Sequence, residues 1–177
     1  MTATLVLDNT VLSHFARANH LQTLAELTSN FRCVTTDEVI IEVNNGVKLH
    51  AALAAIATLP WLEVRSIDNI AELASFAKFK GILGGGPFKN NGECAVLAWA
   101  KNNNATAIID DSAASNLARE EGIVCHGTIW LVINAFKRQL LSRSEAESLI
   151  NQLAENQRLP TDGAGLFVWA YQNGLLP

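Results

Sequence analysis

Four acidic positions in this chain are spaced so that ordinary strand and helix geometry can gather them. Asp8 follows the apolar run Thr4 to Leu7, Glu93 opens the apolar-faced segment GECAVLAWA, and Asp110-Asp111 follow a short apolar run at 106–109. Short apolar runs of this kind read as strands buried on both faces, which places Asp8 and the aspartate pair at strand carboxyl ends. In open parallel sheets, sites form outside those ends. A helix runs antiparallel to the strand it feeds, so Glu93, at a helix start, arrives at the same edge. Carboxylates brought close together repel and take up protons unless a cation compensates them. An all-oxygen donor set suits Mg²⁺ or Mn²⁺, bound through a few carboxylates together with waters and substrate phosphates. The chemistry implied is phosphodiester hydrolysis.

Each acid also has a plainer role. Asp8 is placed to cap a first helix, and Glu93 to favour a helix dipole. Asp110 reads either as an acid behind the metal ligands or as the N-cap of the next helix. His14, His20, His50 and His126 share no spacing, which argues against a histidine metal site. Cys33, Cys94 and Cys125 lack any CxxC pattern and read as small core residues, not as a zinc knuckle or a disulfide framework. Trp61, Trp99, Trp130 and Trp169 read as packing residues rather than base-stacking platforms. Lys78, Lys80, Lys89, Lys137 and Arg138 read as a solvated face, with an RNA path as the functional alternative.

The elements that must position these acids follow from the pattern. A chain of 177 residues is about one domain. With 49% hydrophobic and 17% charged residues it has material for one core, and a net charge of −4 excludes a broadly basic nucleic-acid-binding module. No run reaches the ~18 apolar residues of a membrane span and no basic leader opens the sequence, so the cytoplasm is the expected location. After Asp8 the pattern predicts two helices, a strand at FRCVTT, and a helix TDEVIIEVNN opened by Thr35 with Glu38 as a capping box and closed at Gly46. An Ala-rich helix over 47–58, a strand WLEVRSI and a helix from Asp68 to about Lys78 come next. Residues 81–92 read as a glycine-rich loop beside the site. Ser112 is placed to cap a helix, GIVCHG is a strand, and helices TIWLVINAFKRQLL, RSEAESLINQLAEN and one within GAGLFVWAYQNG complete the chain. The alternation predicts an α/β fold, three layers with a mostly parallel central sheet.

DNTVLSHFAR, EVIIEV, GECAVLAWA and IIDDSAASNLAREEGIVCHGTIWLVINAFKRQLLS resemble, in that order, successive motifs of the PIN-domain ribonucleases, in the branch related to VapC-type toxins. The resemblance implies a nuclease domain over 1–142, with 143–177 a C-terminal helical extension packed on it. It implies that Asp8, Glu42, Glu93 and Asp111 are the metal-binding catalytic acids, Asp110 beside them, with Glu38 as the alternative to Glu42. Mg²⁺ or Mn²⁺ is the implied cofactor and RNA the implied substrate, cut to leave a 3′-hydroxyl. Asn9, Thr10 and Ser112 would orient water or ligands, and Arg119 would contact RNA phosphate. A small antitoxin protein and a second copy of the chain are the implied partners. Segment 81–92 is longer than the family pattern. Two other readings compete. A haloacid-dehalogenase-type phosphatase needs a second aspartate where Thr10 stands, and a PIN-like scaffold would keep the fold without cleavage.

Overall fold

The structure is a computed structural model, described here for residues 2–156 and 158–177. Strand β1 (Thr4–Leu7) lies at the centre of a five-stranded, wholly parallel sheet. Three consecutive residues, Leu5, Val6 and Leu7, are buried. Successive strand side chains point to opposite faces, so both faces of the sheet are covered by helices.

From β1 the chain passes through helices α1 (Asn9–Arg17) and α2 (Leu21–Leu27) to β2 (Arg32–Thr36), then through α3 (Asp37–Gly46) and a 3₁₀ stretch (Ala51–Thr58) to β3 (Leu62–Arg65). Helices α4 (Ile70–Leu83) and α5 (Asn91–Asn102) carry it back across the sheet to β4 (Thr106–Ile108), and α6 (Ser112–Glu120) leads to β5 (Cys125–His126). The strand order is β3-β2-β1-β4-β5. The winding direction therefore reverses between β1 and β4, the place where open α/β sheets form their crevice. Asp8 and the Asp110-Asp111 pair follow those two strands.

Helices α7 (Thr128–Lys137), α8 (Arg143–Ala154) and α9 (Leu166–Gln172) complete the molecule. Ala146, Leu149, Ile150 and Leu153 of α8, and Leu166 and Ala170 of α9, join the same core cluster as the sheet. Ser142 and Glu145 close α8 with a reciprocal capping box. Among the described residues no helix is long and apolar enough to cross a membrane.

Four local expectations are corrected. The N-cap of α3 is Thr36, whose Oγ1 accepts from the Val39 amide, whereas Thr35 donates its hydroxyl to the Leu7 carbonyl and ties β2 to β1. The Ala-rich stretch is 3₁₀ and starts at Ala51, a geometry of three residues per turn that sets Leu53 and Ile56 on one buried face. Helix α4 runs on through Gly81 to Leu83 and stops at Gly84, where φ is +62°. Its buried Phe79 holds the last turns against the body, and only a glycine-rich connection of 84–90 remains before α5. The cap of α6 is Asp111, not Ser112.

Candidate metal centre

Asp8 is 1% exposed. Its Oδ2 accepts from the Thr10 amide at 3.0 Å and caps α1, and its own amide donates to the Ile108 carbonyl at 3.1 Å, locking β1 to β4. Capping and site placement thus coexist in one residue. The other oxygen, Oδ1, is buried without a hydrogen-bond partner. Burial, and then the charge of Glu93 with a smaller push from Glu42, raises the carboxyl to about 7.

Glu42 reaches the cluster from α3. Its Oε1 accepts from the Gly92 amide at 2.8 Å, and its Oε2 from Asn9 Nδ2 at 3.4 Å. Ser13 Oγ donates to Asn9 Oδ1 at 2.7 Å, which fixes the Asn9 amide with its nitrogen toward Glu42. A Cβ at Gly92 would stand 2.8 Å from Glu42 Oε2, so a larger residue there would push that carboxylate aside. The glycine lets the first turn of α5 close onto the carboxylate and offer it an otherwise orphaned helix N–H.

Glu93, next in that turn, is half-buried, and its Oε2 has no hydrogen-bond partner. Burial raises its pKa, the charges of Glu42 and Asp111 add to the effect, and Lys80 opposes it. Asp111 is exposed, and its Oδ1 accepts from the Ala114 amide at 2.8 Å as the cap of α6. Asp8, Glu42, Glu93 and Asp111 therefore form one electrostatically linked group drawn from four elements.

Asp110 is set apart from them. Its Oδ1 accepts from the Thr128 amide and its Oδ2 from the Thr128 hydroxyl, each at 2.7 Å, so the carboxylate staples the end of β4 to the start of α7. A Cβ at Gly127 would lie 2.6 Å from Asp110 Oδ1 and would push the carboxylate off the Thr128 donors. Burial raises the Asp110 pKa. His14 Nδ1 stands 3.8 Å from Asp110 Oδ2, but burial, aided by the Arg17 charge, lowers that imidazole to about 4. A neutral ring makes no ion pair at neutral pH. The N-cap alternative for Asp110 is therefore corrected: Asp111 caps α6, and Asp110 reaches forward to α7.

The remaining predicted positions divide. Asn9 holds Glu42, and Thr10 serves through its amide. Ser112 is exposed at the start of α6, and Arg119 lines a pocket with Asp110, Ser115 and Trp130. Two further groups, Glu38, read from the sequence as the alternative to Glu42, and Lys80, read as one of the surface cations, also stand at the cluster. Glu38, one turn before Glu42, has a buried Oε2 without partner and is raised to about 7 by burial, by its hydrogen bond with Asp37 and by nearby charge. Lys80 donates to Asn91 Oδ1 at 2.6 Å and to the Lys89 carbonyl, which brings a cation to the mouth of α5. The signal for Glu38 was its one-turn spacing from Glu42. Lys80 was legible only as one of several surface cations, because its place at the cluster depends on α4 continuing past Lys78.

This donor set fits a hard divalent ion. Two buried carboxylate oxygens, Asp8 Oδ1 and Glu93 Oε2, lack any partner, and an unpaired buried acceptor is costly. Among the described residues, no three Asp, Glu, His or Cys side chains stand at ligating distance of one point. A hard divalent ion is commonly held by one or two carboxylates with waters completing the shell, so a pair of these acids would be enough to hold one.

Comparison with known proteins agrees with the architecture. A family model described as a PIN domain matches residues 4–162. The fold is similar to that of a chain in the crystal structure of VapBC2 from Rickettsia felis bound to a DNA fragment from their promoter. The two share a TM-score of 0.52 and 16% identity over 70% of this chain and 98% of that one. No curated protein matches the chain in sequence.

Proposed function

Since the chain belongs to the PIN-domain family, we propose that it is an endoribonuclease hydrolysing RNA phosphodiester bonds at a Mg²⁺ or Mn²⁺ centre held by Asp8, Glu42, Glu93 and Asp111. The observation that carries this reading is the pair of partnerless buried oxygens, Asp8 Oδ1 and Glu93 Oε2, in a group of mutually repelling acids. A bound ion would lower the pKa of a water and neutralise charge on the phosphate.

The chain's own groups have separate duties in this reading. Thr10 and Ile108 fix Asp8 at the crevice, so its free oxygen projects in one direction. Asn9 and Gly92 hold both Glu42 oxygens and leave their remaining lone pairs for the centre. Asp111, exposed at the end of β4, is the acid nearest solvent and marks where a long strand of RNA enters. Lys80 supplies a positive charge beside Glu93, placed for a phosphate oxygen. Asp110 is assigned to the staple with Thr128 and not to the ligand set.

By analogy with the VapBC2 complex, a small partner protein and a toxin role in a toxin–antitoxin pair are part of the proposal. A catalytically silent scaffold is the competing reading, favoured by the absence of three convergent ligands among the described residues. Incubation with total RNA and Mn²⁺, with EDTA and Asp8→Asn as controls, separates them. Cleavage lost in both controls supports the nuclease. No cleavage by the wild-type chain, together with no heat of Mn²⁺ binding by calorimetry, supports the scaffold.

A further inference from the structure

Beside the acidic cluster, at the same carboxyl edge of the sheet, lies a pocket of about 710 Å³. Its walls include Asp110, Arg119 of α6, His126 of β5, Trp130 of α7, and Arg158 and Trp169 of the C-terminal segment. The imidazole of His126 lies flat on the Trp130 indole, with ring centroids 4.4 Å apart and planes within 4°. Phe31 packs on Trp130 at 6.2 Å, tilted by 52°, which fixes the indole. Burial lowers the His126 pKa, so the ring is neutral at neutral pH. The one carboxylate in the wall, Asp110, has both oxygens occupied by Thr128. The pocket thus offers a preformed flat aromatic surface with two exposed guanidinium groups at its walls.

That combination is complementary to a planar ring carrying an anion. Stacking on aromatic faces and ionic contact to phosphate are the two general means of holding unpaired bases. The pocket meets the acidic group at adjacent residues, since Asp110 lines the pocket and Asp111 bears on Glu93. Trp169 lies beyond residues 4–162, so this wall is built by chain that the family model does not reach.

We propose that the pocket is a subsite for one unpaired nucleotide of an RNA strand, flanking the phosphodiester at the acidic centre. Its base lies on the His126–Trp130 pair and its phosphate is held by Arg119 and Arg158. The inference rests on the ribonuclease reading for its choice of ligand, but its test needs no cleavage.

The test is fluorescence anisotropy of a 5′-fluorescein-labelled single-stranded RNA octamer in EDTA. His126→Ala is expected to raise the Kd about tenfold, the loss of one base stack. His126→Phe, which keeps a flat ring, is expected to stay within about twofold of wild type on the same scale. The double variant Arg119→Ala/Arg158→Ala is expected to weaken binding and to flatten its salt dependence. Wild-type Kd in both the His126→Ala and the double-arginine variants overturns the proposal, as does an absence of octamer binding by the wild-type chain. Binding that needs the arginines and ignores His126 overturns the base site. Cleavage is scored separately with Mn²⁺. His126-dependent binding without cleavage removes the nuclease reading and keeps the subsite, whereas cleavage with unchanged binding in all variants removes the subsite alone.

Discussion

Asp8 and Asp110 follow neighbouring parallel strands, the first fully buried and the second half-buried, and their surroundings treat them in opposite ways. Asp110 has a donor for each oxygen, both from Thr128, and no charged partner because His14 is held neutral. Asp8 has one donor, one bare oxygen, and two other carboxylates pressing on it. A carboxylate whose oxygens are satisfied is a structural fastening, and one left short among other acids is a candidate binding group. The two aspartates set a satisfied carboxylate beside one left short within one sheet edge.

The comparison breaks first at Asp8. Asp8→Asn is expected to lower Mn²⁺-dependent RNA cleavage by more than about 100-fold, beyond the loss usual for groups that only support metal ligands. Thermal unfolding should show no loss of stability, since the neutral amide removes a buried charge. Retained cleavage would end the distinction between the two acids. The next largest effect is at Gly92→Ala, whose Cβ would meet Glu42 Oε2 at 2.8 Å. Cleavage is expected to fall about 10- to 100-fold, because the Cβ pushes the Glu42 carboxylate from its place on the Gly92 amide without removing it; equal kinetics in alanine and glycine forms would show that the placement of Glu42 by Gly92 does not matter.

Thr128→Val sharpens the other side. It deletes the hydroxyl donor to a half-buried carboxylate that keeps the Thr128 amide, and is expected to cost about 1 kcal/mol in urea unfolding, with cleavage by the folded protein changed far less than in Asp8→Asn. A neutral outcome in unfolding would mean Asp110 is no fastening. The smallest effect is in the pH dependence of the metal-free protein. Asp8 and Glu38 have folded pKa values raised to about 7 from ordinary values of 3.8 and 4.5, so the folded state holds more protons between those limits. Stability is therefore greatest below about pH 4 as far as these groups are concerned, and their contribution is lost as pH rises toward 7. Tm measured in EDTA across that window should fall with rising pH, and Asp8→Asn should reduce the slope.

Much of this arrangement was readable in the chain. Strand ends at Asp8 and at Asp110-Asp111 follow from short apolar runs, and Glu93 follows from the antiparallel rule for a helix feeding a strand, so three elements of the acidic edge needed no tertiary information. What escaped was decided by contacts distant in sequence. Thr35 and Thr36 are chemically alike, and only pairing of β2 with β1 turns the first toward Leu7 and frees the second to cap α3. The division of labour between Asp110 and Asp111 depends on Thr128, which stands beyond the next helix. Gly81 reads as a breaker because a helical glycine is disfavoured by only ~1 kcal/mol relative to alanine, an amount that packing of Phe79 overrides.

The sheet order has a consequence for synthesis on the ribosome. β1 is paired along one edge with β4, whose residues are made about a hundred positions later, and the Asp8 amide donates to the Ile108 carbonyl. At ~5–20 residues per second, several seconds separate translation of Asp8 from that of Asp111. During that interval the crevice has one wall, and Glu93 has no β4 to run toward. A nascent chain of this protein therefore carries an incomplete acidic edge until the fourth strand has been made and has closed against the first.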